Sequence, residues 1–299
     1  MNLRLIPASN KLDCDWYVPI LLCTFQPRLP ILFATYITFK SLSGFFLQDD
    51  HQAIPSQVGA VSTYPLGVSP EPRNQTPQLP TSFGLIDDAP DRWHQFKRRI
   101  SELNASAAPG VSYKVFFLGR HGQGYHNVAE SKYGTEAWDD YYSKLYGDEE
   151  MTWGPDPLLT PLGHVQAADA HQAWLAEIPH GIPQPERHYV SPLKRALDTW
   201  AVTFGVRGIS EDEGAFSSEK RIALVMEHCR EEYGVHTCDL RSPLSHLGTL
   251  YPPPTFAFER GFAEEDPLWD ADTRETKAHI VLRALSVLDT TFNDPGICE

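Results

Sequence analysis

Short runs of strand-forming residues alternate with longer helical patterns along most of this chain. The strand patterns cover residues 113–118, 187–190 and 221–227, and helical patterns follow each of them, the last over residues 272–292. Strands that are joined through a helix are usually parallel, because the helix returns the chain to the edge where the first strand began. The alternation therefore predicts an α/β fold, specifically a three-layer sandwich with a mostly parallel sheet.

Two helices are predicted in more detail. In residues 91–104, Trp93 and Phe96 begin a series of apolar residues three or four positions apart, which is typical of a helix with one buried face. Thr160 and Pro161 are typical of a helix start, since threonine caps the first turn and proline suits the first helical position. We therefore expect one helix over residues 91–104 and another from Pro161 onward.

Composition divides the chain into three stretches. Residues 1–42 form an irregular apolar segment, for which disorder is the alternative, and residues 43–82 form a proline-rich extended wrap or linker. Residues 83–299 form the folded domain. The apolar run at 17–37 is a poor membrane span because prolines and Arg28 interrupt it, and it lacks the features of a signal peptide. We expect a cytoplasmic protein, with an additional nuclear location as the alternative.

Charge and cysteine content exclude several classes of partner and site. The 299 residues include 39 acidic and 25 basic side chains, a formal net charge of −14. Surfaces that bind nucleic acid or anionic membranes are basic, so neither is expected as a partner. The five cysteines are odd in number and irregularly spaced, which argues against a disulfide framework and against a zinc cluster. We expect no metal and no other cofactor.

Charged side chains that can bind and attack phosphate follow the predicted strands. Arg120 and His121 come after the first strand, Arg195 follows the second, and Glu227 and residues 230–232 follow the third. Ligands of α/β sheets bind beyond the carboxyl ends of the strands, so we expect these side chains to meet there. Arginine forks match phosphate oxygens, a neutral histidine can attack phosphorus, and a carboxylic acid can protonate the leaving oxygen. The set predicts phosphoryl transfer without a metal.

The motifs around these residues resemble those of a known family. The stretch "RHGQGYHN" (120–127) is similar to the signature of the histidine phosphatase superfamily, also called phosphoglycerate-mutase-like. Within that superfamily the chain resembles most the fungal phosphomutase-like branch. Six further stretches share the resemblance: "SGFFLQDD" (43–50), "SFGLID" (82–87), "WGPDPLLTPLGHVQA" (153–167), "SPLKRALDT" (191–199), "CREEYGVHTCDLRS" (229–242) and "GFAEEDPLWDADTRET" (261–276).

The resemblance implies a role for each residue at the predicted site. His121 would be the nucleophile that becomes phosphohistidine. Arg120 and Arg195 would hold the phosphoryl oxygens, and Asn127 would support the pocket. Glu231 would be the proton donor.

Alternatives remain open at this point for the acid and for the other motif residues. Glu227 and Glu232 are rivals of Glu231 as proton donor. His126 stands beside the motif as a catalytic residue would, but it is interpreted as a residue that packs there or that supports the site residues from behind. Thr160, Gly163 and Gln166 are interpreted as helix cap and packing, and we expect these three to take no part in the chemistry.

The resemblance also implies a second active-site histidine, late in the chain and after a final apolar strand. The candidates are His236, His246 and His279, and none of them follows such a strand. We therefore expect a C-terminally truncated domain that lacks its last strand and helix, as a truncated gene prediction or a pseudoenzyme would. Loss of one transition-state donor typically lowers a rate about 100- to 1000-fold.

These features together predict a phosphatase-type enzyme with impaired activity. It would be a metal-independent phosphoric monoester hydrolase that works through a phosphohistidine on His121. The alternative is a catalytically inactive relative that binds a phosphorylated ligand or partner. We expect a small phosphorylated substrate. The motifs do not identify that substrate, distinguish a phosphatase from a mutase, or indicate an oligomeric state.

Overall fold

The computed structural model describes residues 16–17, 20–26, 36–49, 80–206 and 221–294. These residues belong to two compact units. The first unit holds the described residues up to Gly119 together with residues 172–184. The second unit holds residues 120–171 and the described residues from 185 onward.

The strands described in the first unit are all antiparallel to their neighbours. β1 (Trp16–Tyr17) pairs with β5 (Leu118–Gly119). β2 (Ile20–Gln26) lies between β3 (Tyr36–Leu42) and β4 (Val111–Val115) in a three-stranded sheet. The pairing of β2 with β4 joins the N-terminal part of the chain to the strand that precedes the RHG motif.

The structure differs from the sequence-based predictions for residues 1–42 and for the strand at 113–118. Parts of the segment 1–42, predicted to be irregular, form β1, β2 and β3, and its other residues lie outside the described ranges, as does most of the predicted wrap at 43–82. The strand predicted at 113–118 is split into β4 and β5. Because both pieces pair in antiparallel fashion, its predicted place in the parallel sheet is wrong.

Aromatic packing explains where this strand lies. Phe117 lies between β4 and β5, and its ring centroid lies 4.9 Å from that of Trp174, 6.3 Å from that of Phe83 and 6.4 Å from that of Trp93. Trp93 belongs to α1 (Arg92–Ala105), which confirms the helix predicted there. Contact of the half-buried Phe117 with three buried rings stabilises the first unit, and this packing holds the end of β4 within that unit.

The second unit contains the parallel sheet. β6 (His188–Val190), β7 (Ala223–Val225) and β8 (Phe256–Phe258) lie side by side in that order. The strands predicted at 187–190 and 221–227 are thereby confirmed, and so is the α/β class. β8 is not predicted from the sequence, since a three-residue apolar run carries too little pattern to distinguish a strand from a loop.

The second unit is also rich in helices. Those with described residues in it are α2 (Tyr125–Tyr133), α3 (Thr135–Asp140), α4 (Pro161–Glu177, to which the first unit contributes the end), α5 (Lys194–Thr203), α6 (Leu244–Leu250) and α7 (Lys277–Asn293). The predicted cap of α4 is confirmed, since Thr160 Oγ1 accepts a hydrogen bond from the N–H of Gly163 at 3.1 Å. Within the described ranges, none of the helices combines the length and apolar character that a membrane crossing requires.

His188 makes the stability of the second unit depend on pH. Its ring centroid lies 5.3 Å from that of Trp200 and 4.5 Å from that of Phe204, and this burial lowers the pKa of His188 to about 4. Between its ordinary pKa of 6.5 and pH 4, the unfolded chain therefore takes up a proton that the folded chain does not, so the free energy of unfolding falls as the pH falls.

We expect this effect to reach about 3 kcal/mol. Urea unfolding of the wild type and of His188→Phe, at about pH 7 and about pH 4.5, measures it. The phenylalanine fills the same space and does not titrate, so the variant should lose this part of the pH dependence. The same pH dependence in both proteins would contradict the assignment.

Candidate active site

His121 is buried in the loop between β5 and α2, with 7% of its surface exposed. Its Nδ1 lies 2.7 Å from the carbonyl oxygen of Gly122, so Nδ1 carries the hydrogen and donates it. Nε2 then presents a lone pair, and no described residue makes a hydrogen bond to it. Burial lowers the pKa of His121 more than the nearby Glu231 carboxylate raises it. The neutral imidazole can therefore act as a nucleophile through Nε2.

Two glycines let this loop lie directly against the first turn of α4. A Cβ atom on Gly122 would overlap the carbonyl of Gly163, and a Cβ atom on Gly163 would overlap the carbonyl of Gln123. Any side chain at either position would push the loop and the helix apart. Close backbone contact thus explains the glycine of "RHG" and the glycine of "LTPLG".

Side chains of three helices hold the loop backbone in place. Thr199 on α5 accepts a hydrogen bond from the N–H of Gly122 at 2.9 Å, and Gln166 on α4 accepts one from the next N–H along the chain at 2.7 Å. Asn127 on α2 accepts a hydrogen bond from the N–H of Gly124 at 2.8 Å. Asn127, predicted to support the pocket, therefore contacts the backbone of the loop that carries His121.

Arg195 lies in the first turn of α5, just after β6, and is 1% exposed. Its Nη1 donates to the carbonyl oxygen of Cys238 at 2.8 Å. Its Nη2 lies 3.2 Å from Oδ1 of Asp239 and 3.3 Å from Oε2 of Glu231. These contacts fix the guanidinium in one orientation in the ligand-free site.

The carboxylate of Glu231 lies among the other predicted site residues. Oε1 is 3.4 Å from Nε of Arg120, and Oε2 is 3.4 Å from Nε2 of His121 and 3.3 Å from Nη2 of Arg195. Burial raises the pKa of Glu231, but the guanidinium charges of Arg120 and Arg195 oppose this effect, and that pKa lies well below its usual range. The structure thus brings together the nucleophile, both arginines and the acid that the sequence predicts.

The two rival acids are engaged elsewhere. Glu227 is buried between two arginines, at 2.8 and 3.4 Å. Glu232 pairs with Arg274 at 3.1 Å. Of these three described carboxylates, that of Glu231 is the one in contact with His121. The geometry therefore favours Glu231 as the proton donor.

Arg195 belongs to an ion-pair network that the sequence does not indicate. Asp239 is buried, and its carboxylate bridges Arg195 at 3.2 Å and Arg274 at 2.6 Å. These partners are 44 and 35 residues away along the chain. No local pattern connects residues so far apart, so the network could be found only from the structure.

The backbone of Glu231 is held by Arg283 of α7. Arg283 is 3% exposed and donates to the carbonyl oxygens of His228, Arg230 and Glu231 at 3.0, 2.9 and 3.0 Å. The carboxylate of Glu275 pairs with the same guanidinium at 2.5 Å. Helix α7 thereby fixes the loop that presents the candidate acid.

Replacing Arg283 by methionine is expected to lower the free energy of unfolding by about 3–5 kcal/mol, because three backbone carbonyls lose their donor and the buried carboxylate of Glu275 loses its guanidinium and is left with the His279 ring. The double variant Arg283→Met/Glu275→Met should recover part of this loss, since it removes both charges. Leu282→Ala, at an exposed position of the same helix, is the control and should change stability by less than about 0.5 kcal/mol. Urea unfolding measures the stability of all three variants. A loss below about 1 kcal/mol for Arg283→Met would contradict the role of Arg283 in holding the loop that carries Glu231.

One group near Arg195 has the composition of a metal site. A ring nitrogen of His236, Sγ of Cys238 and a carboxylate oxygen of Asp239 lie within 4.8 Å of one another. However, Asp239 already pairs with Arg195 and with Arg274. Two guanidinium charges at this distance repel a further cation, so we assign no metal to the group.

Several curated proteins are similar to this chain. A probable phosphoglycerate mutase of Arthroderma benhamiae is 38% identical over 269 residues, which are 86% of this chain and 72% of that protein. Phosphomutase-like protein 3 of Candida albicans is 36% identical over 181 residues, 60% of this chain and 52% of that protein. Phosphoglycerate mutase-like protein 1 of Arabidopsis thaliana is 31% identical over 195 residues, 59% of this chain and 62% of that protein. The chain thus spans between half and two thirds of the length of the last two.

No family model matches the chain. No solved structure matches it. The identity to the Arthroderma protein nevertheless extends over most of both chains. The chain belongs to the histidine phosphatase superfamily, within its phosphoglycerate-mutase-like and mostly fungal group.

Proposed function

We propose that the chain transfers the phosphoryl group of a small phosphomonoester to water through a phosphohistidine on His121. One observation carries the proposal: Nε2 of His121, without a hydrogen bond to any described residue, lies beside a carboxylate that two arginines also contact. A nucleophile, an acid and two anion-binding forks therefore share one small volume. The names of the related proteins support chemistry on phosphate esters.

The reaction would proceed in two displacements at phosphorus. In the first, the lone pair of His121 Nε2 attacks, a P–N bond forms, and the ester P–O bond breaks. Protonated Glu231 gives its proton to the leaving oxygen, so that an alcohol departs. In the second, water attacks phosphorus, its proton goes to the Glu231 carboxylate, and the P–N bond breaks to release phosphate. Arg120 and Arg195 bind the phosphoryl oxygens throughout.

The protonation of Glu231 follows from what occupies the site. In the ligand-free site Glu231 is a carboxylate, because the guanidinium groups of Arg120 and Arg195 hold its pKa low. A phosphoryl group with two negative charges would engage both arginines and repel the carboxylate. Both effects raise the pKa of Glu231. The substrate would therefore itself generate the acid that the first displacement requires.

Replacing Glu231 by glutamine is expected to slow the cleavage of an alkyl phosphate by about 10²- to 10⁴-fold, because the leaving alkoxide no longer receives a proton. Nitrophenyl phosphate should lose much less, since its phenolate leaves without one. Glu232→Gln, which changes the neighbouring carboxylate paired with Arg274, is the matched control. Single-turnover rates on the two substrates measure the difference, and equal losses on both would contradict the acid role.

The proposed function can be tested by the partition of the phosphoryl group between water and an added alcohol. If every substrate passes through the same phosphohistidine, water and an added alcohol compete for one intermediate. The ratio of inorganic phosphate to the new phosphate ester should then be the same for aryl phosphates with different leaving groups. A ratio that changes with the leaving group would show direct transfer and contradict the proposal.

A second candidate is a catalytically inactive relative that binds a phosphorylated ligand or partner. The carboxylate state of Glu231 in the free site favours it, and so do the positions of two late histidines. His246 is exposed on α6, and His279 pairs with Glu275. Without a further donor to the phosphoryl group, turnover would be about 100- to 1000-fold lower. Binding of inorganic phosphate without any turnover would favour this candidate.

The fold is proposed together with the function. We propose that the helices and the parallel sheet form the three-layer sandwich that the resemblance implies.

A further inference from the structure

His126 lies in the first turn of α2, close to the candidate nucleophile. The centroids of the His126 and His121 rings are 5.3 Å apart, and the two planes are tilted by 56°. His126 is 7% exposed, the same burial as His121. The site therefore contains two buried imidazoles, of which the proposed reaction so far uses one.

The ring of His126 is held by packing and not by hydrogen bonds. No described residue makes a hydrogen bond to either of its nitrogens, and Nδ1 is fully buried. The ring folds back over Gly124, where an added Cβ atom would come within 2.7 Å of Cε1 and Nδ1. Glycine at this position leaves room for the imidazole. A buried nitrogen without a partner costs about 1–3 kcal/mol, which a phenylalanine in the same space would avoid.

The surroundings also determine the form of the ring. Burial first, and then the charges of Arg195 and Arg120, lower the pKa of His126 well below its ordinary value, against the opposing effect of Glu231. The ring is therefore neutral and carries one hydrogen. An unpaired N–H is worse in a buried position than an unpaired lone pair, so the hydrogen is expected on Nε2 and the lone pair on the buried Nδ1.

We propose that His126 is a second catalytic residue, which donates its Nε2–H to an oxygen of the phosphoryl group bound at His121. This inference rests on the proposed function. The hydrogen bond would strengthen as negative charge builds on that oxygen during the displacement, and no covalent bond to His126 is made or broken. The donor comes from the same short motif as the nucleophile, six residues beyond Arg120 in the sequence.

Two substitutions separate the hydrogen bond from the packing. His126→Phe keeps the ring over Gly124 and removes the donor. His126→Gln places an amide N–H near the position of Nε2. His188→Phe is the matched control, because it makes the same change at a buried neutral histidine in the core of β6, outside this site. Near-ultraviolet circular dichroism checks that each variant keeps its packing.

Rapid-quench kinetics with nitrophenyl phosphate gives the rate at which the phosphoenzyme forms. We expect a loss of about 100-fold for His126→Phe, a loss of about tenfold or less for His126→Gln, and no change for His188→Phe. A rate for folded His126→Phe within about threefold of wild type would overturn the inference and leave the phosphohistidine mechanism standing. Equal losses in the phenylalanine and glutamine variants would also overturn it, since packing and not donation would then matter.

A binding experiment covers the case in which no phosphoenzyme forms at all. That result would contradict the proposed function, and the question for His126 becomes whether it contacts bound phosphate. In protein labelled with ¹⁵N-histidine, titration with inorganic phosphate should shift the His126 Nε2 signal, and His126→Phe should weaken phosphate binding about tenfold. If phosphate shifts the His121 signals and leaves those of His126 unchanged, the inference is wrong.

Discussion

Replacing His121 by alanine is expected to lower the turnover of an aryl phosphate by about 10⁴-fold or more. The alanine leaves Arg120, Arg195 and Glu231 in the site, so a phosphate ester can still bind. However, it removes the Nε2 lone pair that would attack phosphorus. Direct attack by water is then the remaining route, without the covalent intermediate that divides the reaction into two easier steps. The initial rate at saturating substrate measures the loss.

Two controls make this result specific. His164→Ala removes an exposed histidine of α4 and should leave turnover unchanged. Binding of inorganic phosphate to His121→Ala should stay within about tenfold of wild type, which shows that the arginines remain in place. An alanine variant that keeps more than about one tenth of the activity would show that another group forms the bond to phosphorus.

Replacing Arg195 by lysine is expected to lower kcat/KM by about 10³-fold. The guanidinium reaches three acceptors at once, on Cys238, Asp239 and Glu231. An ammonium group keeps the charge, but it cannot present two parallel N–H groups to a phosphoryl oxygen pair while still contacting Asp239. Activity should therefore fall much more than stability does.

Replacing Arg195 by alanine separates its effect on activity from its effect on stability. Arg195→Ala leaves the carboxylate of Asp239 with Arg274 as its remaining partner, and we expect the free energy of unfolding to fall by about 3 kcal/mol. Arg187→Lys, in an exposed ion pair with Asp294, is the control and should affect neither quantity. If Arg195→Lys kept wild-type kcat/KM, phosphate recognition would have to be assigned to other residues.

The elements that could be predicted from the sequence are those with a long or capped pattern. Apolar spacing gave α1 and α7, and the Thr160 cap gave the start of α4. The strands β6 and β7 were short, but each was followed by a motif of recognisable order. His121, Arg120, Arg195 and Glu231 could be predicted as site residues for the same reason. Each stands at a fixed place in a motif, and the structure brings all four together.

The rest depends on contacts between residues far apart in the chain. The antiparallel partner of β4 is β2, more than 80 residues earlier, and nothing in the "YKVFFL" run indicates it. Asp239 and Arg283 occur in stretches without charge periodicity, yet one bridges two arginines and the other binds three carbonyl groups. His126 was interpreted as packing, because a sequence does not show that a buried nitrogen lacks a partner.

Trapping of the phosphoenzyme shows whether the phosphoryl group is bound covalently to His121. The protein is mixed with a ³²P-labelled aryl phosphate, quenched in alkali, digested, and the labelled peptide is sequenced. We expect acid-labile, base-stable phosphate on the peptide that contains His121, formed fast enough to support turnover and absent from His121→Ala. Turnover without any such label, or label on another residue, would contradict the phosphohistidine mechanism.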